Sequence, residues 1–152
     1  MELYELNYVH LRRLIPDIES IGERAVSAVS NGLDLHYVRI EKSRYTTTFF
    51  LSYCFAESGD EYWAPNLQIR LYGDARVAEV LTGFLNHRDR NSDSGRYVRR
   101  HSAMDSIVSR WRLNRFLFKW LRYCLKQGHC FAPVYSASDM TTRLSSLFES
   151  FR

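Results

Sequence analysis

Residues 30–55 read SNGLDLHYVRIEKSRYTTTFFLSYCF, a run that carries two turns and two strands in succession. Asn31-Gly32 between β-rich runs is the strongest short hairpin signal, because both central positions of the tight turn need positive φ. It predicts that residues 24–30 and 33–41 pair antiparallel. Lys42-Ser43-Arg44 predicts a second tight turn, into a third strand over 45–55. On that strand Tyr45, Thr47, Phe49, Leu51, Tyr53 and Phe55 share one face, while Thr46, Thr48, Phe50, Ser52 and Cys54 share the other. The first set is core. The second is half polar, the pattern of an antiparallel sheet with one side toward water.

Upstream, LYELNYVHLRRLI (3–15) spaces its apolar residues as an amphipathic helix, and Pro16 stops it. Downstream, AESGDEYWAP (56–65) reads as a loop. NLQIRLYGDARVAEVLTGF (66–84) reads as another hairpin, with Leu67, Ile69 and Leu71 inward, Gln68, Arg70 and Tyr72 outward, and Gly73-Asp74 in the turn. Residues 86–103 are almost wholly polar and read as a mobile loop or insertion. A long helix follows over residues 104–127. Ile107, Trp111, Phe118, Leu121 and Leu125, with Leu113, Leu117, Trp120 and Cys124, form its broad apolar face, and Gly128 is its C-cap. After Pro133, residues 138–150 read as a short amphipathic helix.

The expectation is a single α+β domain over 1–152. It comprises an N-terminal helix, a five-stranded antiparallel β-meander, a long C-terminal helix packed on the sheet, and a short terminal helix. Aromatic content of 14% suits such a core. No apolar run is long enough to span a membrane and the N-terminus lacks a signal peptide's apolar segment, so a cytoplasmic location is the default. Cys54, Cys124 and Cys130 are too few and too unevenly spaced for a disulfide framework or a zinc knuckle. Cys54 and Cys124 read as small buried thiols. Charge is asymmetric: residues 1–65 hold 6 Lys+Arg against 10 Asp+Glu, and residues 66–152 hold 15 against 7. A basic C-terminal half points toward an anionic partner.

Four stretches, LNYVHLRRLIP (6–16), EKSRYTT (41–47), APNLQIRLYGDARVAEV (64–80) and FLFKWLRYCLKQG (116–128), together resemble the YqiB-like family, a bacterial domain of unknown function. The resemblance covers residues 6–128. It implies a cytoplasmic protein and supplies no mechanism. Relatives carry an acid-containing run where this chain has Ile107-Val108-Ser109-Arg110-Trp111. The 86–103 segment and a C-terminal extension over 136–152 look particular to this chain.

Two constellations carry chemistry. Arg112, Arg115, Lys119, Arg122 and Lys126 recur at spacings of 3 and 4, which puts five cations on one helix face with no acid among them. Such a face attracts phosphate or RNA, and its bland reading is a solvated helix back. The second constellation is Arg44, Tyr45, Thr47, Arg70, Tyr72, Asp74 and Glu79 at neighbouring hairpin turns. There Arg44 and Arg70 would take an anion, and Tyr45, Tyr72 or Trp63 would stack on a ring. Its bland reading is cross-strand ion pairing, Glu41 with Arg44 and Arg70 with Glu79.

Other motifs fail. DRNSDSG (89–95) resembles the start of a calcium loop but places Ser94 and Arg100 where glycine and a bidentate carboxylate belong. Adjacent His129 and Cys130 are poorly disposed as base and nucleophile. No histidine spacing fits a metal, and the glycines form no phosphate loop. No cofactor and no metal are expected. The reading is a binding or interaction domain for a phosphorylated small molecule or a protein partner, with exposed rings such as Trp63 or Phe151 as contact candidates. The alternatives are RNA binding through the helix stripe and an enzyme of a nucleotide-like substrate, for which Asp74 and Glu79 are the sheet's carboxylates.

Overall fold

The computed structural model describes residues 2–57, 59–84, 97–98 and 103–132. Helix α1 spans Leu3–Leu14, and its start is a reciprocal capping box between Glu2 and Glu5. Strands β1 (Arg24–Ser27), β2 (Leu35–Lys42), β3 (Thr46–Glu57), β4 (Asp60–Tyr72) and β5 (Val77–Phe84) follow, then β6 (Tyr97–Val98) and helix α2 (Ala103–Gln127). The strands lie in sequence order in one antiparallel sheet. The α+β meander between two helices is therefore as the sequence predicts. Gly128, at φ 93, caps α2 in the left-handed region.

Both helices cover one face of the sheet. Phe49, Leu51, Leu67, Ile69, Ala78 and Val80 meet Leu11 and Leu14 of α1 and Leu113, Leu117 and Leu121 of α2 in one buried cluster. Asn114, fully buried on α2, locks that packing. Its Oδ1 accepts the Val80 N–H at 3.0 Å, its Nδ2 donates to the Arg110 carbonyl, and its own carbonyl accepts from Asn7 Nδ2. Leu81 is an extra residue bulged out of β5, since Gln68 faces Thr82 and Ile69 faces Val80, so the helix amide serves the backbone beside the bulge. Asn114→Ala leaves the Val80 N–H buried and unpaired. Urea melts should show about 1–3 kcal/mol of lost stability.

Several local expectations are corrected. Asn31-Gly32 does not form a two-residue turn: β1 ends at Ser27 and β2 begins at Leu35, with the pair inside a longer loop. Tertiary packing overrides the turn signal, because this loop lies against the end of α2, with the Gly32 Cα beside Gln127 and Val29. Residues 56–65 are mostly strand, since β3 and β4 continue as a ladder to Glu57 and Asp60 around Gly59 at φ 83. Pro65 is tolerated there because the ladder bulges: Ser52 faces Asn66 and Cys54 faces Trp63, leaving Ala64 and Pro65 opposite Tyr53 alone. In the polar 86–103 segment Tyr97 and Val98 pair with β5. Trp111 is 52% exposed instead of lying in the helix's apolar face, and Cys54 is only half-buried while Cys124 is buried. The remainder of 86–102, the 138–150 helix and Phe151 lie outside the described residues.

Candidate functional site

The last turn of α1 runs beside the C-terminal half of α2, and the two enclose a groove of about 560 Å³. Its lining is His10 and Arg13 from α1, with Lys119, Arg122, Tyr123, Leu125 and Lys126 from α2. Three of the five cations of the α2 stripe thus face a wall that the stripe's spacing did not reveal. Among the described residues none of Arg13, Lys119, Arg122 and Lys126 pairs with a carboxylate. The neighbouring Arg12 is already committed, to Glu19 at 2.9 Å. Arg122 lies over the Phe118 ring at 5.6 Å, within cation–π reach, and Phe118 in turn meets the His10 ring at 5.3 Å. Gln127 donates to the Tyr123 hydroxyl at 3.0 Å, which holds that exposed ring at the groove's edge.

His10 reports the groove's potential. Burial, then the charges of Arg13 and Arg122, push its pKa below the ordinary 6.5. Its Nδ1 is buried with no hydrogen-bond partner among the described residues. His129 is also pushed below 6.5, chiefly by burial, which outweighs the opposing influence of nearby Ser27, Leu33 and Asp34. Both shifts have the same sign. Below 6.5 the unfolded chain takes up protons that the folded chain refuses, so stability is full above that value and falls as the pH drops through it. Denaturation midpoints measured from pH 7.5 to 5 should fall, and His129→Gln should flatten part of the slope.

The second constellation lies on the sheet face away from the helices. A β2 bulge at Ile40 brings Glu41 opposite Thr48, Thr48 faces Arg70, and Arg70 faces Glu79, forming one row across four strands. Glu41, Ser43, Thr46, Thr48, Arg70 and Tyr72 line a cavity of about 250 Å³ there. Arg70 Nε donates to Thr48 Oγ1 at 3.1 Å, and the Tyr72 hydroxyl donates to Glu79 at 2.8 Å. Burial, then the Glu79 bond, raises the Tyr72 pKa. Arg70 and Glu79 are register partners, yet no ion pair joins them.

The other sequence candidates separate. Arg44 packs over the Tyr45 ring at 5.1 Å in the exposed β2–β3 turn, and Thr47 is buried on the helix side of the sheet. Asp74 sits in the exposed four-residue β4–β5 turn, whose left-handed residue is Arg76 at φ 55. Gly73 there donates its N–H to the Tyr45 carbonyl at 2.7 Å, tying the two turns together. Trp63 meets His36 edge-on at 4.8 Å, on a different part of the sheet. Arg112 and Arg115 are exposed N-terminal to the groove, and Arg115 lies 5.1 Å over the Trp111 ring. His129 is bonded to Ser27 Oγ at 3.0 Å and the Cys130 N–H donates to that same oxygen, so the pair is a structural clasp between α2's end and β1. Sequence reasoning missed His10, Arg13 and Tyr123, because only the fold brings α1 beside the stripe.

Comparison with known proteins gives a consistent assignment. The family model described as "Protein of unknown function (DUF1249)" matches residues 10–130. The chain is 34% identical over 136 residues to the uncharacterized protein YqiB of Escherichia coli K12, covering 89% of this chain and 92% of that protein. YqiB of Escherichia coli O157:H7 is similar to the same degree, 34% over 136 residues. No solved structure matches the chain.

Proposed function

The chain belongs to the DUF1249 family of proteins of unknown function, and from that premise we propose that it is a cytoplasmic, non-catalytic binding domain for a phosphorylated small molecule, held in the α1–α2 groove. One observation carries this reading: four cations from two helices converge on one cavity, and among the described residues none of them pairs with a carboxylate and no carboxylate lines the cavity. Like charges three or four residues apart on a helix cost a few tenths of a kcal/mol each, and a bound phosphate would offset that repulsion. The cavity volume falls within the range of about 300–1,000 Å³ common for small-molecule sites. Arg13 and Arg122 supply planar donors suited to phosphate oxygens, and Lys119 and Lys126 act as point charges. The Tyr123 ring offers a stacking face at the rim.

The test is a thermal-shift panel at low salt with pyrophosphate, nucleotides, cyclic nucleotides, nucleotide sugars and a short single-stranded RNA. A ligand at about 100 times its Kd adds roughly 2.7 kcal/mol of stability. A shift from a small phosphorylated compound, lost in Arg122→Glu, supports the reading. A flat panel overturns it and directs the search to a protein partner. Bound anion would also draw a proton onto His10, so affinity should strengthen as the pH falls from the imidazole's midpoint in the complex toward its lower midpoint in the free protein, up to tenfold per unit.

RNA binding is the second reading, favoured by Trp111, Arg112 and Arg115. They extend the basic face beyond the groove and add an exposed ring on which a base could stack. It predicts a log–log salt slope near 0.7 per phosphate neutralised. It also predicts that Trp111→Ala weakens RNA without touching small-ligand binding.

A further inference from the structure

The cavity on the open face of the sheet differs from the groove in carrying both signs of charge. Its floor is Thr48, only 3% exposed, with Glu41 one strand to one side and Arg70 one strand to the other. Strands lie about 4.8 Å apart, so the acid and the guanidinium start roughly 10 Å apart at the backbone and face each other across the threonine. They do not pair with each other among the described residues. Neither is free to be satisfied by a simple ion: an isolated anion meets Glu41, and an isolated amine meets Arg70.

Two further details bear on what fits. Arg70 spends its Nε on Thr48 Oγ1, which fixes one edge of the guanidinium plane, and the guanidinium also lies within hydrogen-bond reach of the Tyr72 hydroxyl, but no carboxylate among the described residues pairs with its terminal nitrogens. Thr48 accepts that bond, so its own hydroxyl proton remains to be donated, and no acceptor for it occurs among the described residues. A buried hydroxyl with an unused donor at the floor of a cavity is an invitation to an acceptor. Glu79, the acid opposite Arg70, is engaged by the Tyr72 hydroxyl instead. The cavity, at about 250 Å³, is too small for most drug-sized ligands.

We propose that this cavity binds the zwitterionic head of a small α-amino acid. The carboxylate lies on the terminal nitrogens of Arg70 and on the Thr48 hydroxyl, and the ammonium lies on Glu41. The Ser43 and Thr46 side surround favours a short polar side chain. This site is separate from the phosphate groove and does not depend on it.

Titration calorimetry of the full chain tests the assignment, using glycine, L-alanine, L-serine and L-threonine, with N-acetyl-L-serine, L-serinamide and acetate as controls. At least one free amino acid should bind. Blocking its amine or its carboxylate should weaken binding tenfold or more, and acetate should bind no better than the blocked forms. Arg70→Gln and Glu41→Gln should each weaken it tenfold or more; Glu41 is exposed, so its variant keeps the fold even if the half-buried Arg70 variant does not. Arg13→Glu in the groove should leave it unchanged. The proposal is overturned if no free amino acid binds at about 10 mM, a concentration that detects even millimolar affinity. It is also overturned if acetate or N-acetyl-L-serine binds as tightly as the free amino acid, or if Glu41→Gln binds normally.

Discussion

Replacing Arg13 and Arg122 together by glutamate should abolish binding of phosphorylated ligands, weakening it by at least about 100-fold. Each charged hydrogen bond contributes about 1.5–3 kcal/mol, and two of them span two to four decades in Kd. The substitutions also place two anions in a groove that has none among the described residues, so the remaining Lys119 and Lys126 find partners within the protein. Both arginines are exposed, so the thermal melt should hold or rise as repulsion among the cations is relieved. Calorimetry reads the loss of binding, and the melt shows that misfolding did not cause it. A matched loss of stability would instead mean that the cations hold the helices together.

Phe49→Ala should cost about 3–5 kcal/mol, the usual range for emptying an aromatic site in a core. Phe49 is fully buried in the first half of β3, with Tyr37 at 5.0 Å ring to ring and Ile69 opposite on β4. Tyr37 continues to Phe131, whose N–H donates to the Leu14 carbonyl, so the cavity would undermine the clamp between α1 and the segment after α2. Tyr37 is itself fully buried, and that burial pushes its hydroxyl pKa up to about 12. A domain of this size has only about 5–15 kcal/mol to lose. The melting temperature should drop by roughly 6–20 °C, at about 2–4 °C per kcal/mol. A drop of a degree or two would mean that the sheet centre repacks without this ring.

The meander was legible because side-chain alternation on β3 and β4 is strict and local: Phe49, Leu51, Leu67, Ile69 and Leu71 announce their face by position alone. What failed were places where distant packing decides. Asn31-Gly32 satisfies the local rule for a tight turn, yet its loop lies against Gln127 of a helix almost a hundred residues away in sequence. Pro65 and Gly59 looked like loop residues because a bulge that accommodates proline leaves no mark of its own. The bulge at Ile40 likewise decides the sheet-end cavity. By simple alternation Glu41 would oppose Thr47, and the bulge moves it opposite Thr48. The row of Glu41, Thr48 and Arg70 therefore existed in no count of spacings. The α2 stripe was visible as a stripe, but a groove needs a second wall, and nothing in the sequence joined His10 and Arg13 to Lys119 and Arg122.

The titration of His10, followed through its ring protons by NMR with and without pyrophosphate, tests the central claim most directly. Free, the imidazole should titrate below 6.5, because burial and the charges of Arg13 and Arg122 disfavour its proton. With pyrophosphate in the groove, those charges are compensated and the midpoint should move upward by a measurable fraction of a unit or more. A His10 midpoint that pyrophosphate leaves in place, at concentrations that saturate any binding, would contradict the assignment of the α1–α2 groove as the phosphate site.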